Sequence, residues 1–330
     1  MSERREAGTP PSSERGPSGP ARRANSGQAT KTTWRALRAE TQRALKDAGI
    51  ESSEAEARWM IESASGFDAH EWLDIADSQP VARAEARLRQ MVERRTAGEP
   101  LQYVLGAWSF RGLDLLVDSR VLIPRPETEF VVEVALEAAE RMGLRRTSRE
   151  HTLLEPAPTA VAVDLGTGSG AIALALEAEL PDVEVWATDV SEEALVVARA
   201  NVAGCAATRV RIAPPGWWFD ALPPNLRGAV RLIVSNPPYV AEHEVATLPD
   251  EVARYEPRRA LVSGPLGTEA VEELLRGARE WLAHSGVFVC ELAPHQAAAM
   301  RARARAIGYR EPAVRVDHAG RPRVLVATAE

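Results

Sequence analysis

The chain has 330 residues, 45% hydrophobic and 26% charged, with a formal net charge of −7, the balance of an ordinary soluble protein long enough for two domains. No apolar run reaches the roughly 18 residues that span a bilayer, and the N-terminus lacks the hydrophobic stretch of a signal peptide, so the cytoplasm is the expected compartment and no membrane partner is expected. Cys205 and Cys290 match no CxxC pattern and the six histidines form no HExxH-like pairing, which argues against a disulfide framework and against a metal site.

Charge is uneven along the chain. Residues 1–50 hold ten Lys/Arg against five Asp/Glu, which leaves −12 for the remainder. The basic end reads as a solvated tail and helix face, or else as a contact for ribosomal RNA or an acidic partner. The acidic bulk disfavours a dedicated nucleic-acid binder.

Residues 1–30 are rich in Ser, Gly, Pro and Arg and nearly empty of large apolar side chains. They cannot bury enough surface to offset ordering entropy and are predicted to be a disordered tail. From residue 31 to Gly98 the period is helical. Thr33 is placed to cap a helix carrying Trp34, Leu37 and Leu45, and Ser53 with Glu56 has the spacing of a capping box ahead of Trp59, Met60 and Ile61. A short segment at Trp72-Leu73 and an Arg-rich helix from Val81 complete a small bundle, expected to be a substrate-docking domain. Residues 99–123, with β-type composition and turn points at Gly106 and Gly112, are predicted to be a strand-rich connector. Pro126 suits the first position of a helix that runs to Gly143, and residues 145–159 read as a loop.

From Ala160 strands and helices alternate, with "AVAVDLG" before "AIALALEAEL" and "VEVWATD" before "EEALVVARANV". The strands "TRVRIA" and "AVRLIVS" follow, then the helix "TEAVEELLRGAREWL", the strand "GVFVCEL", another helix and a terminal strand "RPRVLVATA". This order builds an α/β domain, residues 124–330, with a mostly parallel sheet and a ligand outside the carboxyl ends of its strands.

Two stretches carry chemistry. In "VDLGTGSGA" the glycines Gly166, Gly168 and Gly170 allow a tight turn and close approach of a ligand to the backbone. Asp189 stands nineteen residues after Gly170, near the ~20-residue offset at which a carboxylate grips ribose hydroxyls. Together they point to a nucleoside-bearing cofactor. Gly166-x-Gly168-x-x-Ala171 also satisfies the loose dinucleotide fingerprint, so a nicotinamide cofactor stays open, although no proton donor for hydride chemistry stands at the next strand end.

What stands there is Asn236-Pro237-Pro238-Tyr239, a turn poor in backbone donors and rich in acceptors. Such a corner suits a substrate that brings N–H donors on a planar, conjugated group. The side-chain oxygen of Asn236 and the carbonyl of Pro237 would each accept one N–H and stabilise positive charge developing on nitrogen as it attacks an electrophilic methyl. Tyr239 would pack its ring on the conjugated plane. The plainer alternative is that Asn236 caps a Pro-Pro turn.

The sequence resembles the HemK/PrmC family of peptide chain release factor glutamine methyltransferases from Trp34 to Val326. The resemblance is carried by "GEPLQYVLG", "LIPRPETE", "DLGTGSGAIALAL", "ATDVSEEAL", "IVSNPPYV" and "YEPRRAL". It implies a class I S-adenosylmethionine-dependent methyltransferase fold, Rossmann-like, behind an all-α bundle. It implies methyl transfer from S-adenosylmethionine to the side-chain amide of the glutamine in a release factor's Gly-Gly-Gln tip. By position, Gly166, Thr167, Gly168, Ser169 and Gly170 would line the cofactor, Asp189 would bind its ribose and Trp218 would flank its adenine. Asn236, Pro237, Pro238 and Tyr239 would hold the substrate amide, Asn236 also facing the cofactor, with Asn236, Pro237 and Tyr239 as the catalytic set. Arg125 to Glu129 would border the cleft or simply start a helix.

Two positions depart from the family pattern. Trp217 stands where an acidic residue usually follows glycine, and Arg231 stands near the start of the strand that usually opens with aspartate. Three other readings remain: methylation of a ribosomal-protein glutamine, methylation of adenine's amino group in nucleic acid, and a module that has lost its cofactor. A monomer is expected.

Overall fold

The computed structural model describes residues 32–144 and 160–330; the stretches read as a tail (1–30) and as a loop (145–159) lie outside the described residues. Thr33 does cap α1 (Trp34–Asp47), its hydroxyl accepting the Ala36 N–H at 3.3 Å. With α2 (Ser53–Ser65), α3 (Trp72–Ile75) and α4 (Ala82–Thr96) it closes a bundle around Leu37, Leu45, Met60, Ile61 and Leu88. The expected capping box is not formed. Ser52 is the N-cap of α2, and Glu56 is drawn instead into the bundle, where it accepts the Ser52 hydroxyl at 2.8 Å and pairs with Arg95 at 2.7 Å.

The connector is only partly strand. Leu101–Leu105 is a helix, α5, despite its β-type composition. Leu101 and Val104, three apart, drop onto the bundle core, and burial outweighs local propensity. The strands β1 (Ala107–Phe110) and β2 (Leu113–Leu116) then form an antiparallel hairpin. Pro126 is the first residue of α6 (Pro126–Arg141), as its fixed φ suits.

The remainder is a seven-stranded sheet. Its parallel strands are β3 (Ala160–Leu165), β4 (Val183–Thr188), β5 (Val210–Ile212), β6 (Val230–Ser235) and β9 (Leu282–Glu291), with α7 (Ala171–Glu179) and α8 (Glu192–Gly204) as crossovers. Between β6 and β9 lie a two-residue strand β7 (Val240–Ala241), α9 (Asp250–Tyr255), α10 (Arg258–Leu261), β8 (Val262–Gly264), which pairs with β7, and α11 (Glu269–Trp281). After α12 (Ala297–Ile307) the chain adds β10 (Arg310–Val316) and β11 (Pro322–Thr328), both antiparallel to their neighbours. Strand β10 is absent from the sequence reading. It is an edge strand with Pro312 and a bulge, and its charged residues hide the period-2 pattern.

The strand order is β10-β11-β9-β6-β3-β4-β5. Alternate strand residues face two cores. Val185, Leu232, Val234 and Val289 pack with α6 and α7, while Val163, Ile233, Phe288 and Leu325 pack with α11 and α12. The order reverses between β3 and β6, which opens a crevice at their carboxyl ends, where Gly166, Asp189 and Asn236 all emerge.

Candidate active site

The glycine turn leaves β3 with Gly166, Gly168 and Gly170 at φ of +74°, +55° and +87°. Its first two N–H groups, of Gly166 and Thr167, both donate to the Thr188 carbonyl (2.9 and 2.8 Å), which ties the turn to the end of β4. A Cβ on Gly166 would stand 3.2 Å from the Trp218 ring, so glycine is needed there for closeness as well as for φ. The Thr167 hydroxyl turns inward, donating to Asp164 Oδ2 at 2.6 Å, and the same oxygen accepts the Ala173 N–H at 3.1 Å. Asp164 is wholly buried, and burial pushes its carboxyl up to about 7. Ser169 is buried too, its carbonyl accepting Asn201 Nδ2 at 2.8 Å.

Asp189 faces the crevice from the end of β4. Its two oxygens accept the N–H groups of Gly168 (3.0 Å) and Ser191 (2.8 Å). Burial raises its carboxyl pKa, while those N–H groups and Arg259 act in the opposite direction.

A cavity of about 450 Å³ fills the crevice, bounded by Gly166, Gly168, Asp189, Trp218, Asn236 and Pro238. Of the residues expected to line a cofactor, Thr167, Ser169 and Gly170 lie behind this wall and shape the turn. Trp217 and Trp218 close one end, their rings 5.4 Å apart, and both indole N–H groups donate to Glu273 on α11 (2.7 and 3.2 Å). The other departure, Arg231, is the second residue of β6, roughly 13 Å before the strand's end at Ser235 at the usual rise per residue. It is a feature of the opposite end of the sheet.

Asn236 is held by its nitrogen. Nδ2 donates to Thr128 Oγ1 at 3.0 Å, and the Thr128 hydroxyl donates to Glu291 Oε2 at 2.9 Å. The Tyr239 hydroxyl donates to the other oxygen of Glu291 at 3.2 Å. Gln296 Nε2 donates to the Tyr239 carbonyl (2.9 Å) and to the Gly267 carbonyl (3.0 Å), bracing the turn from behind. Among the described residues nothing donates to Asn236 Oδ1 or to the Pro237 carbonyl. Asn236 Oδ1 and the Pro237 carbonyl are therefore left unengaged by the described residues.

A second cavity, about 210 Å³, lies on the other flank of Asn236, with Leu122, Arg125, Tyr239, Val252 and Leu261 in its wall. Arg125 is the only member of the Arg125–Glu129 stretch that lines either cavity. Its guanidinium pairs with Glu256, which also accepts the Ile123 N–H at 3.3 Å and so joins the "IPRPETE" and "YEPRRAL" segments.

Residues 36–106 match the PrmC N-terminal domain, and residues 151–254 match the methyltransferase small domain. The chain is 41% identical over 281 residues to the release factor glutamine methyltransferase of Bordetella pertussis, covering 85% of this chain and 96% of that protein. It is 38% identical over 298 residues to that of Moorella thermoacetica, covering 89% and 98%. The chain belongs to the release factor glutamine methyltransferase family. Its fold is the α/β fold of class I methyltransferases; the crystal structure of the hMettl16 catalytic domain in complex with MAT2A 3'UTR hairpin 1 superposes with a TM-score of 0.50 at 16% identity, covering 78% of this chain and 84% of that one.

Of the residues singled out in the sequence, the structure brings Gly166, Gly168, Asp189, Trp218, Asn236 and Pro238 together around the larger cavity. Thr128, Glu291, Gln296 and Glu273 were not among the site residues named from the sequence. For Glu291 a signal existed: a lone carboxylate ending the otherwise apolar run "GVFVCEL".

Proposed function

We infer that this enzyme transfers a methyl group from S-adenosylmethionine to the side-chain amide nitrogen of the glutamine in the Gly-Gly-Gln tip of class 1 peptide chain release factors. The observation that carries this is Asn236, with its side-chain oxygen unpartnered and standing between two cavities. The larger one fits a nucleoside-bearing methyl donor: it has ligand-pocket size, a wall of backbone free of Cβ atoms, a carboxylate at Asp189 for ribose hydroxyls and the Trp218 ring for a base. Bound there, the donor supplies a methyl carbon on a positively charged sulfur.

The second, mostly apolar cavity receives the glutamine side chain. Its NH₂ gives one N–H to Asn236 Oδ1 and one to the Pro237 carbonyl, which turns the nitrogen lone pair toward the first cavity. As the nitrogen–carbon bond forms and the carbon–sulfur bond breaks, the electron pair stays on sulfur and positive charge appears on nitrogen. The two acceptor oxygens stabilise that charge, and the nitrogen then loses a proton to solvent. Holding the partners in line supplies much of the rate. Tyr239 walls the substrate cavity. The helical bundle is the docking platform for the release factor, since Arg95 reaches Glu251 on α9 (3.2 Å) and Tyr255 reaches the Ala97 carbonyl (3.0 Å) beside that cavity.

The test incubates the full chain with methyl-labelled S-adenosylmethionine and purified release factor, ribosomal proteins or genomic DNA in separate arms. Mass spectrometry is expected to find one methyl group on the Gly-Gly-Gln glutamine. Label confined to ribosomal protein or to DNA would overturn the reading.

A further inference from the structure

The proposed corner is held by a hydrogen-bond chain whose direction is set from its buried end. Glu291 closes β9 with no exposed surface, and its two oxygens accept the hydroxyls of Thr128 (2.9 Å) and Tyr239 (3.2 Å). Burial pushes its carboxyl up to about 7, against the opposing pull of the Thr128 hydroxyl and the nearby Arg323 guanidinium, and in its ionised form it is an acceptor only. A hydroxyl has a single proton. Having given it to the carboxylate, Thr128 can only accept from Asn236, which must turn its NH₂ toward Thr128 (3.0 Å) and its oxygen the other way.

We propose that Glu291, acting through Thr128, is a positioning residue that fixes which face of the Asn236 carboxamide meets the substrate, so that an acceptor and not a donor is offered to the incoming amide. The opposite flip would set NH₂ against NH₂ and push the substrate out of line. Thr128 is the third residue of α6 and Glu291 the last of β9, so the relay also fastens the two elements between which the corner sits. The inference rests on the reading that Asn236 Oδ1 receives the substrate amide.

The test compares the wild-type chain with Thr128→Val, Thr128→Ser and Asn236→Ala, using purified release factor and S-adenosylmethionine. Valine keeps the shape and deletes the hydroxyl; serine keeps the hydroxyl. Thr128→Val is expected to lower kcat about tenfold or more, with KM for release factor and the calorimetric Kd for cofactor changed by no more than about twofold. Thr128→Ser is expected to restore most of the rate. A wild-type kcat in Thr128→Val, or a serine variant as slow as the valine one, overturns the proposal. Failure of the underlying reading looks different, because Asn236→Ala would then itself turn over like wild type. A second measurement needs no Thr128 variant to fold. In ¹⁵N-labelled wild type the Asn236 side-chain amide protons, assigned by their loss in Asn236→Ala, are expected to exchange with solvent more slowly than those of a free asparagine. Exchange at the free rate overturns the relay.

Discussion

Arg95 and Glu251 meet at 3.2 Å, joining the last turn of α4 to the first turn of α9, and the same guanidinium closes on Glu56 inside the bundle at 2.7 Å. The two contacts carry unequal weight. Glu251 is half exposed, and such a pair is worth about 0–1 kcal/mol. Glu56 has a side chain only 5% exposed, and stranding it unpaired costs ~3–5 kcal/mol. Urea melts should therefore show Glu251→Gln near wild type and Arg95→Ala strongly destabilised. Equal losses would mean that the bundle's internal pair is not what Arg95 stabilises.

The Asn236→Ala variant is expected to bind S-adenosylmethionine with nearly unchanged affinity and to lose transfer almost completely. Deleting one charge-stabilising contact of this kind costs ~3–4 kcal/mol of transition-state stabilisation. Single-turnover transfer beside calorimetry separates the two effects, and a variant that loses both together would place Asn236 in the cofactor wall alone.

Glu273 holds two indoles at once, those of Trp217 and Trp218. Glu273→Ala frees both rings at one end of the larger cavity, and is expected to weaken S-adenosylmethionine binding by about 1.5–3 kcal/mol, the range for hydrogen bonds to a charged group. Tryptophan emission should shift to the red in the same variant. An unchanged Kd would show that the pair shields the cavity without shaping it.

Two buried carboxyls make stability fall as pH rises. Asp164 and Glu291 are both pushed up to about 7 by burial, so between the ordinary carboxylate range and neutrality the folded chain keeps protons that the unfolded chain releases. Their favourable contribution is complete below about pH 4 and is lost as pH climbs through about 7. Unfolding free energies of Glu291→Gln should decline less than wild type over that window. Activity should run the other way. Glu291, faced by Thr128, Tyr239, Arg323 and Glu127, sets the relay only when ionised, so wild-type kcat should rise through about pH 7 and the rise should vanish in Glu291→Gln.

How much of this was legible beforehand follows from where the residues lie. The glycine turn and the Asn236 corner are contiguous words, each at the end of an apolar strand, and Asp189 stands at a fixed offset within one βα unit. The relay is different. Thr128 is 108 positions from Asn236 and 163 from Glu291, and a threonine near a helix start is commonplace by itself. Gly267 shows the same limit, because only the folded chain reveals that a Cβ there would sit 2.6 Å from the Tyr239 carbonyl. Local chemistry also misled. Leu101–Leu105 has strand-like side chains, yet two of them found the bundle core at helical spacing.

The hairpin that ends the chain has an effect far from the crevice. One border of the sheet is β10, interrupted by Pro312 and a register shift and carrying Arg310, Glu311 and Arg315, while the opposite border, β5, is three residues long. Neither border presents a long, flat, greasy ladder of spare N–H and C=O groups to another molecule. Crowded copies of this enzyme thus lack a template for stacking edge to edge into fibres, and a sheet rich in aliphatic residues stays closed upon itself.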